Sequence, residues 1–349
     1  MGKAEILKLL ESKKLNIDLM KQIFDVPSPS GFTHHAIDFL DDYISKLGYK
    51  TSRNQKGNLI VEVPGKTSNT LGLSAHVDTL GLMVRAIRGD GHLSFTTVGG
   101  ILLPTVDGEY CNVHTREGKT YSGTILSTSP SVHVYSDSRT KGRDMNNMYI
   151  RLDEVVNSKN DTLKLGIGNG DFVTIDPKFT YTSSGYIKTR FLDDKASVFI
   201  LVELLKLLKE ENITPKDNLR IIFSTYEEVG HGAANIPSID KLLVIDMGCI
   251  GLDLSCTEHQ VSICAKDSSG PYDYKMTSEL IELAKNNEIN YAVDVYPFYG
   301  SDGSAALSAG NDIKAALIGA GIHASHGMER THYEGLLNTL KLVLLYITK

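Results

Sequence analysis

Apolar positions along this chain of 349 residues follow two rhythms. In 31–48, Ala36, Phe39, Leu40, Tyr43, Ile44 and Leu47 recur at helical spacing, and Gly48 suits the stop. The first 65 residues read helix, helix, strand, with short β-rich runs at 58–63 and 71–75. From about 82 to 180 the texture changes. Short strands at 82–87, 92–97, 110–115 and 121–126 are punctuated by Gly, Asp and Ser-Pro, and no long helical period appears. After Thr189 strands and helices alternate. A helix over 194–211 places Val198, Leu201, Val202, Leu205 and Leu208 on one stripe. Strands follow at 219–225, 242–246, 260–265, 289–295 and 313–318, with helices at 274–287, 304–309 and from Tyr333 onward.

Alternation of this kind predicts an α/β fold, a mostly parallel sheet with helices on both faces. The expected architecture is one α/β domain built from 1–81 and 181–349, interrupted by a small all-β, barrel-like insertion over 82–180. Length agrees, since roughly 150 residues per domain gives two.

Composition narrows the function classes. A net charge of −6 with no long basic run argues against a nucleic-acid or anionic-membrane partner. No apolar run approaches the roughly 20 residues of a membrane helix. The N-terminal Met-Gly-Lys-Ala-Glu has no apolar signal core, and Ile6 fails the myristoylation pattern at Gly2. Cys111, Cys249, Cys256 and Cys264 are too widely spaced for a zinc knuckle and read as free thiols of a cytoplasmic protein.

The candidate chemistry lies where strands end. His76-Val77-Asp78 follows 71–75, Asp193-Asp194 opens a helix, Glu227-Glu228 follows 219–225, Asp246 ends 242–246, and His326 lies in the loop after 313–318. Loops leaving the carboxyl ends of strands form the ligand crevice of an open α/β sheet. Two histidines and three or four carboxylates without cysteine suit zinc or cobalt, with manganese also possible. Two cations need a bridging carboxylate. Asp193, short and rigid at a helix start, is the expected bridge, with His76 and Asp246 on one ion and Glu228 and His326 on the other. Asp78, two residues beyond His76, is expected to accept the second ring N–H of that histidine. Adjacent glutamates in extended backbone point to opposite sides, so one can hold metal while the other acts as general base.

These segments resemble a known family. Residues 74–84, Ser-Ala-His-Val-Asp-Thr-Leu-Gly-Leu-Met-Val, are similar to the first histidine segment of the tetrahedral and glutamyl aminopeptidases, dinuclear metallopeptidases. Leu192-Asp193-Asp194-Lys195 resembles their bridging-aspartate segment, with Lys in place of Arg. Thr225-Tyr226-Glu227-Glu228-Val229-Gly230 resembles their base-and-ligand segment. Val244-Ile245-Asp246 and Gly300-Ser301-Asp302 resemble two later ones. The order covers nearly the whole chain. The resemblance implies a phosphorylase/hydrolase-like catalytic domain, an insertion acting in oligomer contacts, homo-oligomers up to dodecamers, peptide substrates, and Glu227 as the base. The last ligand segment departs from the family pattern, and His323, His326 and His332 compete there.

Bland readings stand beside these. Asp193 is a favoured helix cap, and Glu227-Glu228 is a pair that solvent often covers. His34, His35, His92, His114, His133 and His259 read as structural or solvated. His231 and Asp302 are candidate substrate contacts. The expected function is a dinuclear metal-dependent aminopeptidase using metal-activated water. The rivals are a glycosidase built on a carboxylate pair and a metal-binding scaffold without turnover.

Overall fold

A computed structural model describes residues 3–349, so Gly2 lies outside the described residues. The N-terminal segment holds three helices, Lys3–Ser12, Ile17–Asp25 and His34–Lys46, where the pattern predicted two. The break falls at Asn16, whose side chain accepts from the Leu19 N–H at 3.0 Å and starts a new helix.

One sheet dominates. Across it run Thr51–Arg53, Leu59–Val63, Asn218–Ser224, Thr70–His76, Lys241–Ile245, Lys314–Ile322, Val261–Asp267 and Gly270–Pro271, with Tyr291–Val295 pairing Val261–Asp267. The central four, from Asn218–Ser224 to Lys314–Ile322, are parallel neighbours. Leu59–Val63 and Val261–Asp267 join them antiparallel. The sheet is therefore mixed and parallel at its centre. In that register Ser224 sits opposite His76, so the strand ends carrying the candidate ligands open on one edge.

Helix Leu192–Glu210 runs through the middle of the core against Thr70–His76 and helices Ile17–Asp25 and Tyr333–Thr348. Phe199, Ile200 and Leu204 are buried as fully as the stripe read from the sequence. A helix covered on all sides is apolar all round, which hides its period. Each such Leu or Phe contributes about 1.5–3 kcal/mol by leaving water.

Six antiparallel strands between Gly81 and Ile175 close into a barrel in the order Gly81–Ile87, Leu93–Val98, Met148–Leu152, Thr120–Ser127, Tyr110–His114 and Phe172–Ile175. Leu82, Phe95, Val113, Ile125, Ile150 and Val173 fill it. Closure leaves no sheet edge unpaired. Its Gly100–Leu102 segment reaches the loop between Lys314–Ile322 and Glu329–His332, where the Leu102 N–H donates to the His326 carbonyl at 3.0 Å. A third, small antiparallel sheet joins Thr180–Tyr181, Tyr186–Thr189 and Glu329–His332. The four-residue strand Glu329–His332 is not legible from periodicity, and it bears on the site.

Gly319 is forced by the site. A Cβ there would fall 1.3 Å from the Asp246 carbonyl oxygen. Its absence lets Asp246 lie against the strand, with its N–H donating to the Ile318 carbonyl at 3.0 Å.

Candidate metal centre

His76 ends its strand with its ring buried. Nδ1 lies 2.9 Å from the Asp78 backbone carbonyl, which only accepts, so Nδ1 carries a proton. Nε2 lies 3.0 Å from Asp193 Oδ1, which only accepts, so here Nε2–H donates to that carboxylate, and a bound cation would take the place of this proton. The orienting acceptor differs from the expected one: the Asp78 carboxylate is 3.6 Å from Nδ1, too long for a hydrogen bond. That carboxylate instead accepts from Ser30 Oγ at 2.5 Å and from the N–H groups of Glu227 and Glu228 at 3.1 and 3.2 Å. Asp78 thus fixes the turn that carries both glutamates.

Glu227 and Glu228 do not lie in extended backbone. They open a 3₁₀ turn, Glu227–Val229, which Gly230 closes at φ +85°. The turn still separates them. Glu227 Oε2 lies 3.6 Å from His76 Nε2, and Glu228 Oε2 lies 3.5 Å from His326 Nε2.

Asp193 stands between the two histidines. Oδ1 faces His76, and Oδ2 is 3.4 Å from His326 Nε2. Its backbone is non-helical and its side chain caps nothing, so the capping reading does not describe it. Asp194 turns away and accepts the His76 N–H at 3.1 Å. Lys195 gives its Nζ to the carbonyls of Ile23, Phe24 and Val26.

Of the three competing histidines, His326 is the one brought to the centre. His323 is exposed, and its backbone pairs with Arg330. His332 caps the last helix through Nδ1 and donates Nε2–H to the Ser184 carbonyl at 2.8 Å. His326 Nδ1 lies 3.0 Å from the Gly100 carbonyl and is therefore protonated, so Nε2 faces Asp193 and Glu228. Two groups of donor atoms, each within 4.8 Å, result: His76, Asp193 and Asp246, and Asp193, Glu228 and His326. They share Asp193.

The donor set fits two divalent cations. Both imidazoles give the distal N–H to a backbone carbonyl, as metal-binding histidines do. Glu228 Oε1 is buried with no hydrogen-bond partner, and an orphaned carboxylate oxygen is costly without a cation. Burial, with Asp193 beside it, pushes the Asp246 carboxyl up to about 7. Burial and crowding by Asp246 push the Glu227 carboxyl well up, and burial with Asp193 does the same for Glu228. Asp193 alone is held low, because His326 and His76 together outweigh its burial. Carboxylates packed this tightly lack positive charge.

Two sequence candidates lie elsewhere. Asp302 is buried, with its oxygens taken by Ser224 Oγ at 2.6 Å and the Ala233 N–H at 2.9 Å. His231 is exposed and stacks on Tyr226, ring centroids 5.0 Å apart.

Neither periodicity nor motif order singles out Glu329. It is buried and accepts the N–H of Asp193 at 3.0 Å and that of His326 at 2.9 Å, so one carboxylate positions the shared ligand and the last one. The available signal was a carboxylate three residues after the ligand histidine. Arg190 holds the same loop by donating to the carbonyls of Gly327 at 3.2 Å and Thr105 at 2.6 Å. Glu329→Gln turns one acceptor into a donor against an N–H. It should weaken metal binding about 10–100-fold without changing the far-UV circular dichroism, a difference calorimetric metal titration would show.

Comparison with known proteins bears on these groups. The model of the M42 glutamyl aminopeptidase family matches residues 57–342. YhfE of Bacillus subtilis (strain 168), provisionally named an aminopeptidase, is 45% identical over 97% of this chain and 99% of its own. A lysyl aminopeptidase of Pyrococcus furiosus is 25% identical over 93% of this chain and 94% of its own. The TET1 peptidase of Pyrococcus horikoshii, described as assembling into a tetrahedron or a large octahedral shell, superimposes with a TM-score of 0.84 at 26% identity. It covers 95% of this chain and 99% of that one.

Proposed function

This chain belongs to the M42 glutamyl aminopeptidase family, and from that we propose that it removes N-terminal residues from peptides with two divalent cations, zinc or cobalt, that share Asp193. His76 and Asp246 would complete one set and Glu228 and His326 the other. The observation that carries this reading is the Asp193 carboxylate, 3.0 Å from His76 Nε2 through one oxygen and 3.4 Å from His326 Nε2 through the other.

When bound, such ions polarise the scissile carbonyl and bring the pKa of water from 15.7 to about 7. The remaining work falls to the chain. Glu227 borders the cavity and stands outside both donor groups, with Oε2 3.6 Å from His76 Nε2, so that oxygen would take a proton from the attacking water. It then returns that proton to the amine nitrogen of the departing peptide. Asp78 keeps Glu227 aimed through its backbone N–H, and Glu329 keeps Asp193 and His326 in register.

The two rival readings have less support. A glycosidase needs two carboxyls facing each other across a sugar. Here Glu227 and Glu228 share one turn, and the other carboxylates are gathered on imidazoles that such chemistry does not use. Membership of a peptidase family removes the ground for an inert scaffold.

We read 82–180 as the domain that makes contacts between copies in a homo-oligomer, up to a dodecamer. The assembly of the P. horikoshii TET1 peptidase supports this. The four cysteines are free, which supports a reducing cytoplasm. No helix among the described residues is long and apolar enough to cross a membrane.

Chelation tests the metal requirement. Dialysis against a strong chelator should abolish hydrolysis of an aminoacyl-anilide panel, and adding back zinc, cobalt or manganese should restore it. Full activity in protein shown to be metal-free would refute the proposal.

A further inference from the structure

The candidate centre opens into a cavity of about 920 Å³. Its wall divides sharply by charge. Asp193, Glu227, Glu228, Asp246 and His326 form one side, and each is accounted for by the centre itself. Away from them the wall is made of Ile101, Leu102, Met247, Cys249, Tyr299 and Ala305, together with small residues and serines. Among the described residues that line it there is no Lys or Arg, and no further Asp or Glu.

Charged side chains adjoining the lining residues in sequence or by contact are taken up by partners outside the lining or by Ser269. Lys56 donates Nζ to the carbonyls of His231 and Gly232. Lys266 donates to the Asp267 carbonyl at 2.8 Å. Asp267 accepts from the N–H and Oγ of Ser269 and from the Tyr272 hydroxyl. Asp302 is closed off by Ser224 and Ala233. The wall is also firm where it is apolar: Tyr299 packs edge-on against Tyr296 and donates its hydroxyl to the Met247 carbonyl at 3.2 Å. At the mouth two apolar side chains stand in solvent, Phe298 at 96% and Leu102 at 53% exposure.

We infer that this cavity selects peptides whose N-terminal residue is uncharged and apolar, of the leucine or methionine class, and rejects those beginning with an acidic or basic residue. The inference rests on the aminopeptidase reading and adds the substrate class to it. A carboxylate or ammonium carried into this wall would lose water and meet no side chain of opposite charge, only serine hydroxyls and backbone groups. The carboxylates of the centre offer a lysine side chain little, since two divalent cations balance the four of them. An apolar side chain meets matched surface and gains by leaving water. The names of two relatives, a glutamyl and a lysyl aminopeptidase, show that the end residue selected varies among proteins similar to this one.

The test is a panel of anilides of Leu, Met, Ala, Glu, Asp, Lys and Arg on the metal-loaded protein, with a second readout independent of turnover. That readout is the dissociation constant of leucine, glutamate and lysine hydroxamates, measured by titration calorimetry. Leu and Met should exceed Glu and Lys in kcat/KM by at least about 100-fold, and leucine hydroxamate should bind tightest. Glu or Lys equal to or better than Leu overturns the inference and leaves the aminopeptidase reading standing. No turnover of any anilide overturns both. In Ala305→Lys, which sets a cation in the wall, the Glu-to-Leu ratio should rise by about 10-fold or more. An unchanged ratio in a variant that still cleaves Leu would place the substrate side chain elsewhere and overturn the assignment.

Discussion

Glu227→Gln is expected to lower kcat on a leucyl-anilide by about 10²–10⁴-fold, the usual worth of a positioned acid–base group. Bound metal should be retained. The two effects separate because Glu227 is the one cavity carboxylate outside both shared donor groups. Gln has nearly the same shape and keeps the backbone N–H that Asp78 accepts at 3.1 Å, so the turn stays in place. What it loses is the ability to take a proton. Metal content by mass spectrometry, set beside steady-state kinetics, checks both halves. Undiminished turnover would remove Glu227 from the role of base, and lost metal would make it a ligand.

Asp193→Ala should have the widest consequence, because both donor groups contain that carboxylate. Partners that merely orient a ligand are worth about 10–100-fold in metal affinity. Removing a ligand shared by two ions should exceed about 100-fold for both and abolish activity. The backbone N–H that Glu329 accepts at 3.0 Å survives the substitution, so the fold should persist and the loss should be one of metal. Titration calorimetry would show it. A variant that kept one full-affinity ion would mean that Asp193 serves a single site.

The pattern of ligands at strand ends was readable because parallel strands deliver their carboxyl ends to one edge. His76, Glu227, Glu228 and Asp246 all follow apolar runs, and Thr70–His76, Asn218–Ser224 and Lys241–Ile245 lie side by side. The features that escaped the sequence depend on turns. Neither periodicity nor motif order shows that Glu227 and Glu228 sit in a 3₁₀ turn, or that the Asp78 carboxylate serves that turn while its carbonyl serves His76. The choice among His323, His326 and His332 was closed to periodicity for a similar reason. Ala324 and His326 lie at φ +61° and +62°. Two such left-handed residues in one loop send its side chains in directions that no strand or helix spacing predicts. Glu329 lay hidden because its strand is only four residues long and pairs with a segment far away in the chain, Tyr186–Thr189.

The central claim is that Asp193 holds two ions at once, and diffraction from crystals loaded with zinc, collected at the zinc absorption edge, tests it most directly. The account predicts two anomalous peaks about 3.5–4 Å apart, one on each side of the Asp193 carboxylate, the first beside His76 and Asp246 and the second beside Glu228 and His326. A single peak, or peaks away from Asp193, would contradict it.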